Sequence, residues 1–360
     1  MAEKQSFDLS RFFFRLSTKE KMLFARHMEI MITSGMQILD SLEILKRQTK
    51  SKTFRKILDQ LMFDVKNGHF LSAGLVRYQN IFGDFFVNLV RVGETSGTLA
   101  ENFKYIAEEL RKRQELNNKI RDAMLYPLII LLATSGITGL LTFFVFPKVL
   151  PIFRSLRVEL PLVTRFFIGF SEFMIHHGLW VGVGCIFFAI GIWLLLKIRR
   201  IRFVWHRTLL LLPAISTMSQ AVNMVNFART LALLLRSGMQ IVESLTIAAN
   251  TLSNLVYQEE IKKIAEAIGR GETISKSLLA HPTLFPPIFS QMILIGENTG
   301  KLDETASYLA GFYESELDEA TKALSSILEP LLLIVMGIVV SVVALSIILP
   351  IYKITQTIGR

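Results

Sequence analysis

Cysteine is almost missing from this chain. The single one, Cys185, sits inside an apolar run, so neither an internal disulfide framework nor a cysteine metal site is possible within one chain. Charged residues are also scarce, at 19%, while hydrophobic residues reach 51%. That balance excludes an ordinary soluble globule. No stretch alternates polar and apolar residues with period two, which removes sheet architectures. No GxxxxGK[ST] phosphate loop occurs. The nearest approach, residues 271–277 (GETISKS), lacks the glycine before Lys276 and reads as a helix start capped by Thr273 or Ser275. There is no HExxH, and the six histidines are scattered. The adjacent pair His176 and His177 would point about 100° apart on a helix, which suits a wet interface better than a metal.

What the chain does have is long apolar segments. Residues 123–147 run without a charge between Asp122 and Lys148. Residues 174–196 run between Glu172 and Lys197, with their apolar core from 179 onward. Residues 330–352 run between Glu329 and Lys353. A hydrocarbon core of about 30 Å needs about 20 apolar residues as a helix, and all three segments qualify. None holds an Asp, Glu, Lys or Arg. A transporter or intramembrane protease needs ionisable groups at mid-membrane, so those activities are disfavoured.

The net charge of +10 gathers beside these segments. Arg111, Lys112, Arg113, Lys119 and Arg121 precede the first. Lys197, Arg199, Arg200, Arg202 and Arg207 follow the second. The loop at 148–173 and the tail at 353–360 are poorer in basic residues. The positive-inside rule then places the N-terminus and residues 17–122 and 220–329 in the cytoplasm, with the loop and the tail outside. Residues 1–16 form a short polar tail without the apolar core of a signal peptide, in keeping with that topology. Residues 197–219 read as a basic linker. A nucleic-acid binder is the less fitting account of the charge, because no basic aromatic platform accompanies it.

The chain also repeats itself. Residues 24–44 (FARHMEIMITSGMQILDSLEI) return as residues 227–247 (FARTLALLLRSGMQIVESLTI), with 11 of 21 positions identical and an offset of 203. The same offset pairs Gly68 with Gly271, Phe82 with Phe285, Gly93 and Glu94 with Gly296 and Glu297, Gly97 with Gly300, and Pro127 with Pro330. A fixed offset without insertion means one duplicated unit. It carries its apolar segment with it, and the middle segment is the inserted helix that returns the second copy to the first side.

Each copy reads as helices. Ser17 and Glu20 form a capping box, with Leu16 as staple, and Thr98 and Glu101 form another. Ser34 and Gly35 break the first helix before Met36 and Gln37, as Ser237 and Gly238 do before Met239 and Gln240. The turns at residues 93–99 (GETSGTL) and 296–302 (GENTGKL) admit two readings. In the structural one, Gly93 and Gly296 end a helix in the left-handed conformation and the hydroxyls near Gly97 and Gly300 start the next. In the functional one, Glu94 and Glu297 present a carboxylate to a basic partner residue or a divalent cation. Beyond the turn, residues 99–146 form one long helix, kinked near Pro127 at the membrane boundary, and the second copy does the same around Pro330. Small-residue faces, Gly178 with Gly182 and Gly337 with Ser341, suit close packing in the membrane, within the chain or between copies. The expected architecture is an all-α integral membrane protein: two homologous cytoplasmic bundles of about six helices each, and three transmembrane helices.

The doubled SGMQI…SL and GE[TN][ST]GxL motifs, a proline entering each copy's apolar segment, and ELPLVTRFF at 159–167 resemble the type II secretion F-protein family. The resemblance covers residues 17–352. It implies a non-enzymatic platform in the bacterial inner membrane, without cofactor or metal. Such a platform couples a cytoplasmic hexameric assembly ATPase to polymerisation of pilin-like subunits, in contact with other inner-membrane assembly proteins and lipids, as a homo-oligomer. It also implies that Gly35, Gln37, Gly93, Glu94, Gly97 and their partners Gly238, Gln240, Gly296, Glu297 and Gly300 form partner-binding or motif turns. Many members carry a longer region before the first copy; here about 16 residues precede it. The alternatives are a small three-span transporter and a membrane-anchored interaction protein. If the long helices act as levers, a Gly–Gly break near Glu109 should stop assembly.

Overall fold

Ser17 opens the first helix. Its hydroxyl accepts from the Glu20 backbone N–H at 3.2 Å, and the Glu20 carboxylate accepts from the Ser17 backbone N–H at 2.8 Å. This expected capping box satisfies two of the donors that a helix start leaves open. Burial alone would raise the Glu20 pKa, but the Ser17 hydrogen bonds outweigh it and hold the carboxyl below its usual value. In the computed structural model, residues 16–140, 162–211 and 213–358 are described, and among them every regular element is a helix.

The first copy folds as α1 (Thr18–Thr33), α2 (Ile38–Gln48), α3 (Lys52–Lys66), α4 (Leu71–Val76), α5 (Gln79–Phe82), α6 (Asp84–Ser96) and the start of α7 (Leu99–Leu140). Two helices follow, α8 (Leu162–Lys197) and α9 (Arg199–Leu209). The second copy folds as α10 (Pro213–Arg236), α11 (Ile241–Thr251), α12 (Leu255–Gly269), α13 (Ile274–Leu279), α14 (Pro287–Thr299) and the start of α15 (Leu302–Ile358). The offset of 203 reproduces the starts of α2, α3, α4, α6 and α7 in α11 to α15. Helix α5 has no counterpart, and α10 begins before the position equivalent to Ser17.

Each copy closes on aromatic rings. In the first, Phe24 stacks on Phe86 at 5.9 Å and meets Phe54, Phe82 and Phe103. In the second, Phe227, Phe285 and Phe289 hold the equivalent places, while Phe54 becomes Tyr257 and Phe103 becomes Ala306. Tyr313, standing where the first copy has Leu110, packs its ring 5.8 Å from Phe289 and refills that volume. The Tyr257 hydroxyl donates to the Leu284 carbonyl at 3.0 Å, as a buried phenol requires. Burial pushes the Tyr257 pKa up, and that of Tyr313 up to about 12.

The chain divides into two units, Met1–Asn118 with His206–Asp318, and Lys119–Trp205 with Glu319–Arg360. The first holds both copies. In the second, α7, α8 and α15 expose apolar side chains such as Leu128, Leu132, Trp180, Phe187, Leu331 and Ile338. Two helices are long and apolar enough to cross a membrane among the described residues, Leu99–Leu140 and His176–Lys197. The third expected segment lies on α15, part of whose side chains fall outside the described residues. Pro127 and Pro330 both lie inside continuous helices. Residues 141–161, with the end of the first expected segment and most of the expected loop, are also outside the description.

Two expectations change here. Residues 162–173, expected as a proline-bent loop, are already the first turns of α8, because the prolines stop at Pro161. The expected linker at 197–219 is largely helical: Lys197 ends α8, the basic side chains that follow lie on α9, and His206 Nδ1 accepts from the Leu255 backbone N–H at the start of α12.

Candidate functional site

The motif glycines separate into two kinds. Gly35, Gly97, Gly238 and Gly300 take φ of +80°, +75°, +85° and +70°, where L side chains are strained. Gly97 and Gly300 are therefore the left-handed residues that end α6 and α14. Gly93 and Gly296, expected in that role, lie inside those helices instead. Their reason for being glycine is space. A Cβ on Gly93 would come within 2.8 Å of the Leu99 Cα, and one on Gly296 within 2.7 Å of the Thr305 hydroxyl oxygen. The next helix crosses there at backbone distance. Thr98 and Glu101 do not pair as expected: the Thr98 hydroxyl meets that of Ser96 at 2.7 Å, and Glu101 accepts from the Tyr105 hydroxyl.

Glu94 and Glu297 reach back along the chain. The Glu94 carboxylate accepts from the backbone N–H of Leu71 at 2.6 Å and of Ser72 at 2.9 Å. Glu297 accepts from Ile274 and Ser275 at 2.8 and 3.2 Å, and from the Ser275 hydroxyl at 2.6 Å. Each carboxylate thus caps the short helix that begins 23 residues earlier, α4 or α13, neutralising donors that no residue of that helix satisfies. Thr273, expected to cap, makes no side-chain cap bond. Both carboxylates are already ligated by backbone, and among the described residues no group of three His, Cys, Asp or Glu could hold a metal ion.

Gln37 and Gln240 stand at the N-terminal caps of α2 and α11 without side-chain capping bonds, and both are exposed. The turns around them lead to different surroundings. The second copy lays its α10–α11 hairpin on α6 and α7 of the first. Leu234, Met239 and Ile247 join the first copy's core. Arg91 donates to Glu243 at 3.1 Å, Asn250 to Asp84 at 2.7 Å, and Arg113 to the Thr230 hydroxyl at 3.2 Å. At the centre, Arg229, 8% exposed, stands 3.7 Å from the fully buried Glu109 and 2.8 Å from Glu314. Arg113 completes this cluster, 2.5 Å from the other Glu109 oxygen. A buried carboxylate needs such cations. Sequence reading missed the cluster; the only signal was a Glu in the register of α7 that otherwise faces the core, beside Ile106 and Leu110.

The equivalent face of the first copy carries the same turn and is open. Met31, Met36 and Ile44, with His27, Ile30 and Gln48, line a hollow of about 250 Å³. The hollow is lined by apolar side chains with one histidine and one glutamine, and no carboxylate lines it. It offers a surface.

A family profile described as "Type II secretion system (T2SS), protein F" matches residues 24–147 and, again, 227–350. The chain belongs to that family. The family unit therefore begins at Phe24 and at Phe227, includes the glycine turns and the carboxylate caps of each copy, and extends into the apolar segment that follows. Relatives of known name agree. The chain is 37% identical over 345 residues, 95% of its length and 84% of the relative's, to a type IV pilus assembly protein PilC of Thermus thermophilus. It is 32% identical, over 96% of its length and 85% of the relative's, to a type II secretion system protein F of Pseudomonas aeruginosa. To the type IV pilus assembly protein PilC of the same organism it is 30% identical, over 94% and 90%. Members of this family thus serve both pilus assembly and type II secretion.

Proposed function

We propose that this chain is a non-enzymatic platform of a pilus-assembly or type II secretion machine in the bacterial inner membrane. Three helices cross the bilayer, both bundles face the cytoplasm, and the C-terminus lies outside. The observation that carries this reading is the doubled family unit in which each helical bundle continues without a break into an apolar helix. At 1.5 Å per residue, the 42 residues of α7 span about 63 Å and the 57 of α15 about 86 Å. A hexameric cytoplasmic ATPase pushing on the bundles would tilt these helices as levers, and pilin-like subunits would respond within the membrane. Basic side chains on α7 and α9 hold the bundles at anionic headgroups, and other inner-membrane assembly proteins dock around them. The chain works as a homo-oligomer. Gly35, Gln37, Gly93, Glu94, Gly97 and their equivalents shape the docking turns, with Gly93, Glu94, Gly296 and Glu297 acting through helix placement.

The lever is tested by breaking α7 where it is exposed. A break near Glu109 would also disrupt the buried Arg229 cluster, so the break belongs at Asn117 and Arg121, both exposed. Asn117→Gly with Arg121→Gly costs about 1 kcal/mol of helix propensity for the two sites together. Cells carrying this variant as their only copy should retain the protein in the inner membrane and lose surface pili or secreted substrate. Normal assembly with that variant would reject the lever, and normal assembly after deletion of the whole gene would reject the platform.

A further inference from the structure

The internal duplication supplies a template for an interface that only one copy uses. The second copy docks through the face formed by Leu233, Leu234, Met239 and Ile247, and the first copy receives it on α6 and α7. Shifting both faces by 203 residues gives their unused counterparts. On the first copy the docking face is Ile30, Met31, Met36 and Ile44; Ile30 and Met36 are 48% and 36% exposed, whereas Met239 is 7% exposed. On the second copy the receiving face is α14 and α15. There Ile288, Leu294 and Ile295 stand in place of Phe85, Arg91 and Val92, and Tyr308 repeats Tyr105; all four are exposed, Ile295 to 53% and Tyr308 to 61%.

We infer that these two open faces bind each other between two copies of this chain, first copy of one molecule onto second copy of the next. Three observations favour a second copy of this chain as the occupant. The docking face keeps the SGMQI turn and carries an apolar side chain at each of the positions equivalent to Leu233, Leu234, Met239 and Ile247. The receiving face exchanges Arg91 for Leu294, so the Arg91–Glu243 pair becomes Leu294 with Asp40, and the face has gained apolar surface that no described residue of the chain covers. And the register that pairs Arg113 with Thr230 would pair Glu316 with His27, an acceptor against a ring that can donate. An apolar face of this kind on a monomer marks an interaction site. The association is heterologous, head to tail, and so closes into a ring or runs on. It gives a surface to the self-association in the proposed function, but its readout, chain–chain association alone, requires neither ATPase nor pilin.

The decisive experiment uses the purified full-length chain in mild detergent, with particle mass as the readout. Met36→Asp removes the docking face and Ile295→Asp the receiving face; both sites are exposed, so helicity and melting should match the unaltered chain. Each variant alone should lose self-association by about tenfold or more. Mixed one to one, they should recover a pair and nothing larger. The Met36→Asp chain still carries an intact receiving face, the Ile295→Asp chain an intact docking face, and the pair then exposes only altered faces. In a Cys185→Ser background, His27→Cys on one chain should crosslink to Glu316→Cys on another. Undiminished association of either variant, or failure of the mixture to pair, would overturn the inference. So would loss of binding to the assembly ATPase with self-association intact, which would give the face to that protein instead.

Discussion

Arg26 and Arg229 occupy the same place in the two copies, and they live differently. Arg26 is half-exposed and pairs with Glu29 at 2.8 Å, one turn along its own helix. Arg229 is buried between two copies, facing Glu109 and Glu314. The following turn diverges in the same way, with Met239 covered and Met36 open. Duplication preserved the side chains and the local backbone. What differs is whether something lies on top of them. A residue type at a given repeat position therefore carries no fixed energetic weight, since the same arginine is a surface ion pair in one copy and a buried cation in the other.

The sharpest break in that comparison is charge removal. Arg229→Ala leaves Glu109 with Arg113 alone in a buried site, and unfolding measurements on the full chain should show a loss of about 3 kcal/mol. Arg26→Ala should change stability by less than about 0.5 kcal/mol, as exposed pairs do. Equal losses would mean that the inter-copy cluster is solvated in solution.

Methionine truncation comes next. Met239→Ala opens a cavity between the copies and should cost about 2–3 kcal/mol. Met36→Ala should cost well under 1 kcal/mol in the isolated chain, with any larger effect appearing only where chains associate.

The carboxylate caps sharpen the likeness rather than the difference. Glu94→Ala and Glu297→Ala should each destabilise by about 1–2 kcal/mol, and the second should be the larger because it also strands the Ser275 hydroxyl. Hydrogen exchange should localise the loosening to the starts of α4 and α13. If stability is unmoved while partner binding is lost, the carboxylates serve a partner after all.

The smallest effect concerns pH. The Glu20 carboxyl has a folded pKa held below its ordinary value by the Ser17 hydrogen bonds, against the opposing effect of burial. Its contribution is therefore present above the unfolded pKa and is lost as the pH falls through the lower folded value. Acidification should fray the start of α1, and Ser17→Ala should abolish that dependence at a cost of about 1 kcal/mol. The second copy has Gln220 and Asn223 in those places, inside α10, and should show no such step.

Much of this was legible beforehand. The 203-residue offset placed every shared helix start, because helix boundaries depend on neighbours within a few residues: Ser17 with Glu20, and the positive φ of Gly35 and Gly97. Gly93 was misread for an instructive reason. Its glycine answers to the backbone of α7 crossing above it, and a turn-like GETSG string does not report a crossing. The Glu94 cap escaped notice similarly, since the backbone donors it accepts from lie 22 and 23 residues away and a carboxylate after a glycine looks free to bind anything. The beginning of α8 was hidden by prolines that end just before it.

The sequence alone thus determined a doubled helical unit continuous with an apolar helix, since periodicity, capping and the glycine conformations are near-neighbour physics, and duplication repeats them unchanged. Tertiary structure alone decided which arginine is buried, which methionine is covered and which pair of faces is left open. Burial belongs to two surfaces separated by more than a hundred residues of chain, and two copies with the same local pattern cannot reveal from that pattern which of them is covered.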